Sequence, residues 1–214
     1  MINKILRFTF FAVIVRMLVS LVLGLNIRHR VRLPTTTPAI IVANHNSHLD
    51  TMVLMTLLPL PLLNHVHPVA AMDYFLKNKW LAWFALNIIG ILPLQRNQTP
   101  GSDDPLAKCS KSLEQGDILI FFPEGTRGEP EKLAKFKTGI ARLSERHPDI
   151  PVIPIFLHGL GKALPKGEAL LVPFFCDVFV GEALFWNGNR HTYMERFDQV
   201  MNSLAAEGHF PPWD

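Results

Sequence analysis

The residues best placed to do chemistry are His45 and Asp50, within Asn44-His45-Asn46-Ser47-His48-Leu49-Asp50. A histidine beside a carboxylate is the minimal general-base pair: the carboxylate fixes the ring tautomer and stabilises the imidazolium as it forms. The flanking residues supply the geometry. Ala39 to Ala43 is a short apolar run of the kind that forms a buried strand, and Thr51 to Leu58 opens an apolar helix. The polar cluster therefore falls at a strand-to-helix turn, at the strand's far end, where open α/β sheets place their sites. Ser47 and Asp50 have capping-box spacing, with Ser47 as N-cap and Asp50 three residues on. Taken alone, the heptapeptide reads equally as a capped helix with a satisfied histidine beside it and as a site.

Two later stretches bear on that choice. Asp117 to Phe122 reads as a fully buried strand running into Pro123-Glu124-Gly125-Thr126-Arg127-Gly128. Glycine there permits a tight turn and close approach of a ligand to the backbone, and arginine offers a planar fork that matches phosphate. Gly90-Ile91-Leu92-Pro93-Leu94-Gln95-Arg96 is a strand-like run that also ends in an arginine. Two arginines at strand ends, with a glycine turn between acid and base, make a phosphate cradle. A His–Asp pair beside such a cradle points to activation of a hydroxyl on a phosphorylated substrate.

The elements that must position these residues follow from the rest of the chain. Its 214 residues suit one sizeable domain. Strand-like and helix-like stretches alternate, which predicts an α/β protein: a mixed, mostly parallel sheet flanked by helices. Helices are expected from about Ser47 to Leu58, Pro105 to Gln115, Phe136 to Arg146 and Arg190 to Ala206. Strands are expected at Val66 to Ala71 and Val152 to His158, with a late hairpin from Leu170 to Pro173 and Phe175 to Val180. Tyr74 to Ile89, with Phe75, Trp80, Trp83 and Phe84, reads equally as a core helix and as an interfacial or acyl-pocket wall.

Composition narrows the class. The net charge of +3 comes without a basic run long enough for a nucleic-acid stripe. Cys109 and Cys176 have no partner pattern, which suits a reducing compartment. His65-x-His67 has no acidic or thiol ligand at metal-site spacing, so no metal is expected. Residues 5 to 25 are almost wholly apolar, and no small-residue cleavage site follows them. Residues 1–27 are therefore expected to form a membrane-anchoring helix, 28–210 the α/β domain, and 211–214 a tail. An arginine at the centre of a spanning helix costs about 2.5–3.5 kcal/mol, so a helix lying in the interface with Arg16 reaching to headgroups is favoured over a clean span. Arg28, His29, Arg30 and Arg32 suit an anionic cytoplasmic leaflet and predict association with the cytoplasmic face of the inner membrane.

Four features stand in order: Asn44-His45-x4-Asp50, Gly90-x-Leu92-Pro93-x-x-Arg96, Phe122-Pro123-Glu124-Gly125-Thr126-Arg127 and Val152-Ile153-Pro154-Ile155. In order and spacing, from Ala39 to Gly181, they resemble the four blocks of the glycerolipid acyltransferases that act on lysophosphatidate. The resemblance implies His45 as general base and Asp50 as its orienting acid. It implies phosphate binding by Arg96, Glu124, Gly125, Thr126 and Arg127, with Asn44 and Ser47 in support and Pro154 shaping the acyl-donor side. Gln95 is a small departure from the residue often found before the arginine. The implied reaction transfers an acyl group from acyl-CoA or acyl carrier protein, as co-substrate, to lysophosphatidate, with no cofactor or metal. Alternatives are another lysophospholipid, glycerol 3-phosphate or a lyso-aminolipid as acceptor, or a non-catalytic lipid-binding protein. Backbone N–H groups near Asn46 or Ser47 are expected to hold the oxyanion. No Ser or Cys is placed as a nucleophile, and the Gly-x-Ser-x-Gly elbow of a lipid hydrolase is absent.

Overall fold

The computed structural model describes residues 2–72, 78–95, 104–126, 128, 133–164 and 172–210. In chain order the elements are α1 (Ile2–Val22), β1 (Leu23–Arg28), β2 (Ala39–Ala43), α2 (Leu49–Leu57), β3 (Val66–Ala71), α3 (Lys79–Ile89), β4 (Leu92–Leu94), α4 (Ala107–Glu114), β5 (Ile118–Phe121), α5 (Gly139–Arg146), β6 (Val152–His158), the single turn α6 (Leu160–Ala163), β7 (Phe174–Val180) and α7 (Arg190–Glu207). The strands form one seven-stranded sheet in the order β1-β7-β6-β2-β5-β3-β4. Every neighbouring pair is parallel except β6 and β7, so the sheet is mixed and mostly parallel, as the alternation of elements predicts.

The central strands are apolar at every position because both faces of the sheet are covered. All residues of β2 are 0% exposed. Ile41, Ile120, Ile153 and Ile155 point to one face, where Phe11, Val15 and Val19 of α1 and Val53, Leu54 and Leu57 of α2 meet them. Ile40, Val42, Leu119 and Phe156 point to the other, against Cys109 and Leu113 of α4, Ile140 and Leu143 of α5, and Tyr193, Phe197 and Met201 of α7. Each buried leucine, isoleucine or phenylalanine contributes about 1.5–3 kcal/mol, so this two-layer core fixes the strand ends from which the loops leave.

α1 serves two surfaces. Arg7, Phe11, Val15 and Val19 recur every fourth residue and are buried, while Ile5, Val13, Ile14, Met17 and Leu21 on the outside are exposed. It is long and apolar enough to cross a membrane by length and composition, yet its inner stripe belongs to the core. The buried charge is Arg7, whose guanidinium donates to the Val66 carbonyl and lies against Gly90. α3 divides in the same way: Ala85, Ile88 and Ile89 are buried, while Trp80 and Trp83 face outward. Phe84 meets Phe10 edge to face, which joins the two helices.

Three expectations about the flanks need correction. The N-terminal helix stops at Val22 rather than 27, because Leu23–Arg28 leaves it to pair in parallel with β7. Its alternation of half-buried Leu25 and Ile27 with exposed Gly24, Asn26 and Arg28 was masked by the apolar run before it. No late hairpin forms at β7, because β6 occupies one of its edges and β1 the other; Leu170 and Leu171 lie outside the described residues. Arg16 does not reach away from the protein: it donates to Leu58 O at 3.4 Å, at the carbonyl end of α2 where a positive charge is favoured. In the basic cluster Arg28 and Arg30 are exposed, and His29 and Arg32 have partners in the fold. His29 meets Glu207 at 2.9 Å, and Arg32 donates to Val180 O at 3.1 Å and meets Glu182 at 3.2 Å.

Candidate active site

The parallel strands β2, β5, β3 and β4 end on one side of the sheet, and the loops leaving β2 and β5 meet there. The β2 loop is anchored at its first residue. Asn44 donates through Nδ2 to Leu157 O at 2.8 Å and accepts from Leu157 N at 2.7 Å. Its side-chain amide thus continues the β2–β6 ladder past the last backbone pair, Ala43 and Ile155. The main chain is released to turn, and His45 comes next.

His45 Nδ1 lies 2.9 Å from Asp50 Oδ2. Asp50 is fully buried, and the same oxygen accepts from the backbone N–H groups of Asn46 at 2.7 Å and Ser47 at 2.8 Å. Charge-assisted bonds of this kind contribute about 1.5–3 kcal/mol each. They make Asp50 an acceptor at that oxygen, which assigns the Nδ1 proton to the histidine and leaves Nε2 as the basic nitrogen. Among the described residues Nε2 has no partner.

The capping box is half formed. The acid reaches back to the Ser47 N–H, but α2 begins at Leu49, not Ser47. Ser47 Oγ instead accepts from Leu49 N at 3.3 Å and donates to Leu164 O at 3.0 Å, tying the loop to the end of α6. The same bonds overturn the expected oxyanion donors, because the Asn46 and Ser47 N–H groups are occupied by Asp50.

The β5 loop closes over the imidazole. Phe122 stacks on His45 with ring centroids 4.1 Å apart and planes 22° apart. Phe122 O accepts from Gly125 N at 3.0 Å, a turn with proline at its second position and glycine at its fourth, where each is favoured. Gly125 has φ of +77°, a conformation that L side chains rarely adopt. Gly128 N donates to His45 O at 3.0 Å, and Glu124 Oε1 accepts from His45 N at 3.4 Å. Glu124 is buried, and among the described residues its Oε2 has no hydrogen-bond partner. Burial, reinforced by the nearby Asp50 charge, raises its carboxyl to about 7 against the opposing contacts with His45 and Ala134.

His45, Asp50, Asn44, Ser47, Glu124 and Gly125 are thus brought together, and Thr126 is exposed at the loop's outer side. Arg96 and Arg127 lie outside the described residues. Pro154 is buried in β6, in register with Val42. Its carbonyl accepts from Gly181 N at 2.8 Å, and lacking an N–H to return, it ends the β6–β7 ladder. Phe122 was not foreseen as a site residue, because its type and position suited the buried strand; its place directly before the proline turn was the available signal. His65 and His67 pair with Asp117 at the opposite end of the sheet, and no metal-type cluster occurs among the described residues.

The site is thus a His–Asp pair at a strand end of a mostly parallel α/β sheet, stitched to a glycine turn on the neighbouring strand. The model of the Acyltransferase family matches residues 24–158, which include the whole of both loops. The chain belongs to the acyltransferase family. It is 32% identical over 132 residues to the 1-acyl-sn-glycerol-3-phosphate acyltransferase BAT2 of Brassica napus, covering 62% of this chain and 36% of that protein. With the 1-acyl-sn-glycerol-3-phosphate acyltransferase of Bacillus subtilis it shares 28% identity over 170 residues, 77% of this chain and 79% of the other. The chain spans well under half the length of the first of these relatives. The crystal structure of the lysophosphatidate acyltransferase PlsC from Thermotoga maritima has the same fold, with a TM-score of 0.76 at 19% identity over 99% of this chain and 81% of that one.

Proposed function

We propose that this protein transfers a fatty acyl group from an acyl thioester, acyl-CoA or acyl carrier protein, to the free hydroxyl of lysophosphatidate. The observation that carries the reading is the Nδ1 contact of His45 with buried Asp50, 2.9 Å long, which leaves Nε2 as a base. Nε2 takes the hydroxyl proton as the oxygen attacks the thioester carbonyl. The new C–O ester bond forms, the C–S bond breaks, and the thiolate recovers the proton from His45. Base catalysis of this kind contributes about 10²–10⁴-fold. The acceptor phosphate rests on the Gly125–Thr126 turn with Arg96 and Arg127. Glu124 takes a different part from the one its motif implies: buried against the His45 backbone, its carboxyl holds the two loops together rather than facing an anion. No metal or cofactor takes part.

Membrane docking belongs to the same reading. Extracting a lipid tail from a bilayer costs about 0.8 kcal/mol per methylene, roughly 10 kcal/mol for a whole chain. The exposed side of α1 with Trp80 and Trp83 gives the protein an apolar face with which to sit at the bilayer, on the cytoplasmic side where its water-soluble thioester donor is found.

The test is an acceptor panel with purified protein and vesicles: lysophosphatidate, glycerol 3-phosphate, other lysophospholipids and a lyso-aminolipid. Lysophosphatidate should be consumed fastest, in a His45-dependent way. Faster consumption of another acceptor would replace the assignment.

A further inference from the structure

Gly125 is occupied from above. A Cβ added to it would stand 2.4 Å from Lys137 Nζ, 2.9 Å from Cε and 3.2 Å from Cδ. The lysine therefore lies flat along the glycine's Cα, and its ammonium hangs over the turn. The two segments are tied directly, since Lys137 N donates to Pro123 O at 2.9 Å. Gly90, the glycine of the second motif, is covered in the same manner by Arg7. The two cations differ in what they do there. Arg7 is buried and donates to a backbone carbonyl; Lys137 is exposed, and among the described residues its ammonium has no ion pair or hydrogen bond. The turn's own acid does not neutralise it, because Glu124 is buried and directed at His45 N.

From this geometry we infer that Lys137 is a phosphate-binding residue of the site, its ammonium placed by Gly125 to meet an anion seated on the Gly125–Thr126 turn. Glycine at 125 then answers two demands, the positive φ of the turn and a seat without a Cβ for the lysine. A lysine is a compact point charge with three donors on a flexible stem, so it follows an incoming phosphate rather than fixing its orientation. The inference rests on the acyl-transfer reading for its substrate, but not for its binding chemistry. The phosphate belongs either to the acyl acceptor or to the coenzyme A donor.

The first measurement is direct binding of inorganic phosphate to the purified full chain, without turnover. Lys137→Met should weaken it about ten- to a hundredfold, and Lys137→Arg should recover most of the loss. A wild-type chain that binds no phosphate, or a Lys137→Met chain with unaltered binding and an unaltered melting curve, would overturn the inference. Steady-state kinetics identify the source. In Lys137→Met, KM for lysophosphatidate should rise about tenfold while KM for acyl-CoA stays within about twofold. If KM instead rises for acyl-CoA and not for its dephospho analogue, the lysine serves the donor, and its assignment to the acceptor is overturned. A chain that binds phosphate through Lys137 yet transfers no acyl group would overturn the reaction and leave this inference standing.

Discussion

Two clusters at opposite ends of one sheet pair histidine with a buried or half-buried aspartate. At the ends of β2 and β5, His45 uses one nitrogen on Asp50 and keeps the other. At the beginnings of β3 and β5, His67 donates through Nδ1 to Gly90 O at 2.8 Å, and its Nε2 faces the Asp117 carboxylate 3.7 Å away. Asp117 is divided as well, meeting His65 at 3.2 Å and accepting from Ser112 Oγ at 2.7 Å. Asp50, by contrast, directs one oxygen at His45 and at two backbone donors of the same loop. What separates the two histidines is therefore not the residue pair but what the second nitrogen meets: a carboxylate at 3.7 Å for His67, and no partner among the described residues for His45. The ends of the sheet explain the asymmetry. Loops leaving the C-terminal ends of parallel strands diverge and leave a crevice, whereas the other cluster lies on the strands' incoming side.

The contrast breaks most sharply at His45. His45→Ala should lower kcat for acyl transfer by about 10²–10⁴-fold with little change in melting temperature. Turnover within tenfold of wild type would mean that the free nitrogen is not the base. Asp50→Asn should come next and should damage both properties. The remaining carbonyl oxygen accepts the same three bonds without the carboxylate charge, and the new NH2 is buried where Oδ1 has no partner among the described residues, so about 1–3 kcal/mol of stability is lost. Losing control of the tautomer should lower kcat by up to about 10⁴-fold. A variant that lost stability alone, with kcat intact in the folded fraction, would reduce Asp50 to a helix cap.

Glu124 sharpens the comparison through pH. Burial disfavours the charge and pushes its carboxyl up to about 7 in the folded chain, from an ordinary value near 4.5. Between those values the folded state holds a proton that the unfolded state has released. Stability therefore falls as pH rises from 4.5 through 7, by on the order of 3 kcal/mol. Glu124→Gln should remove that slope in denaturant titrations taken across the window. An unchanged slope would show that the carboxyl is already ionised beside His45.

The strand ends were readable from residue type because β2 and β5 are apolar at every position and β6 at all but its last, His158, a pattern forced by coverage on both faces. The His45–Asp50 contact was readable because a strand, a turn and a helix leave little freedom over five residues. What escaped was decided by long-range partners. Phe122 could be assigned to the sheet but not to the imidazole face it covers. Arg16 and His29 could be placed beside a membrane by composition, yet their acceptors, Leu58 O and Glu207, lie 42 and 178 residues away. Lys137 stood outside every short motif, and only the folded turn brings it onto Gly125. The limits of α1 were blurred for a related reason: the alternation of β1 begins inside an unbroken apolar run.

The smallest effect belongs to the cluster at the other end of the sheet. Burial lowers the pKa of His67, against the opposing pull of Gly90 O and Asp117. The unfolded chain then takes up a proton at higher pH than the folded one, so His67 costs stability as pH falls below about 6.5, with a slope of at most about 1.4 kcal/mol per pH unit. This is opposite in sign to Glu124, and the two overlap just below about 6.5. In wild type they partly cancel there, so a flat stability profile would conceal both. The double variant alone cannot separate them; the single variants can. His67→Asn should make the chain gain stability more steeply on acidification than wild type, since the opposing His67 contribution is gone, while Glu124→Gln should make it lose stability more steeply. Acyl transfer by His67→Asn at pH 7 should stay within about twofold of wild type. A loss approaching that of His45→Ala would place the proton-handling histidine at the wrong end of the sheet.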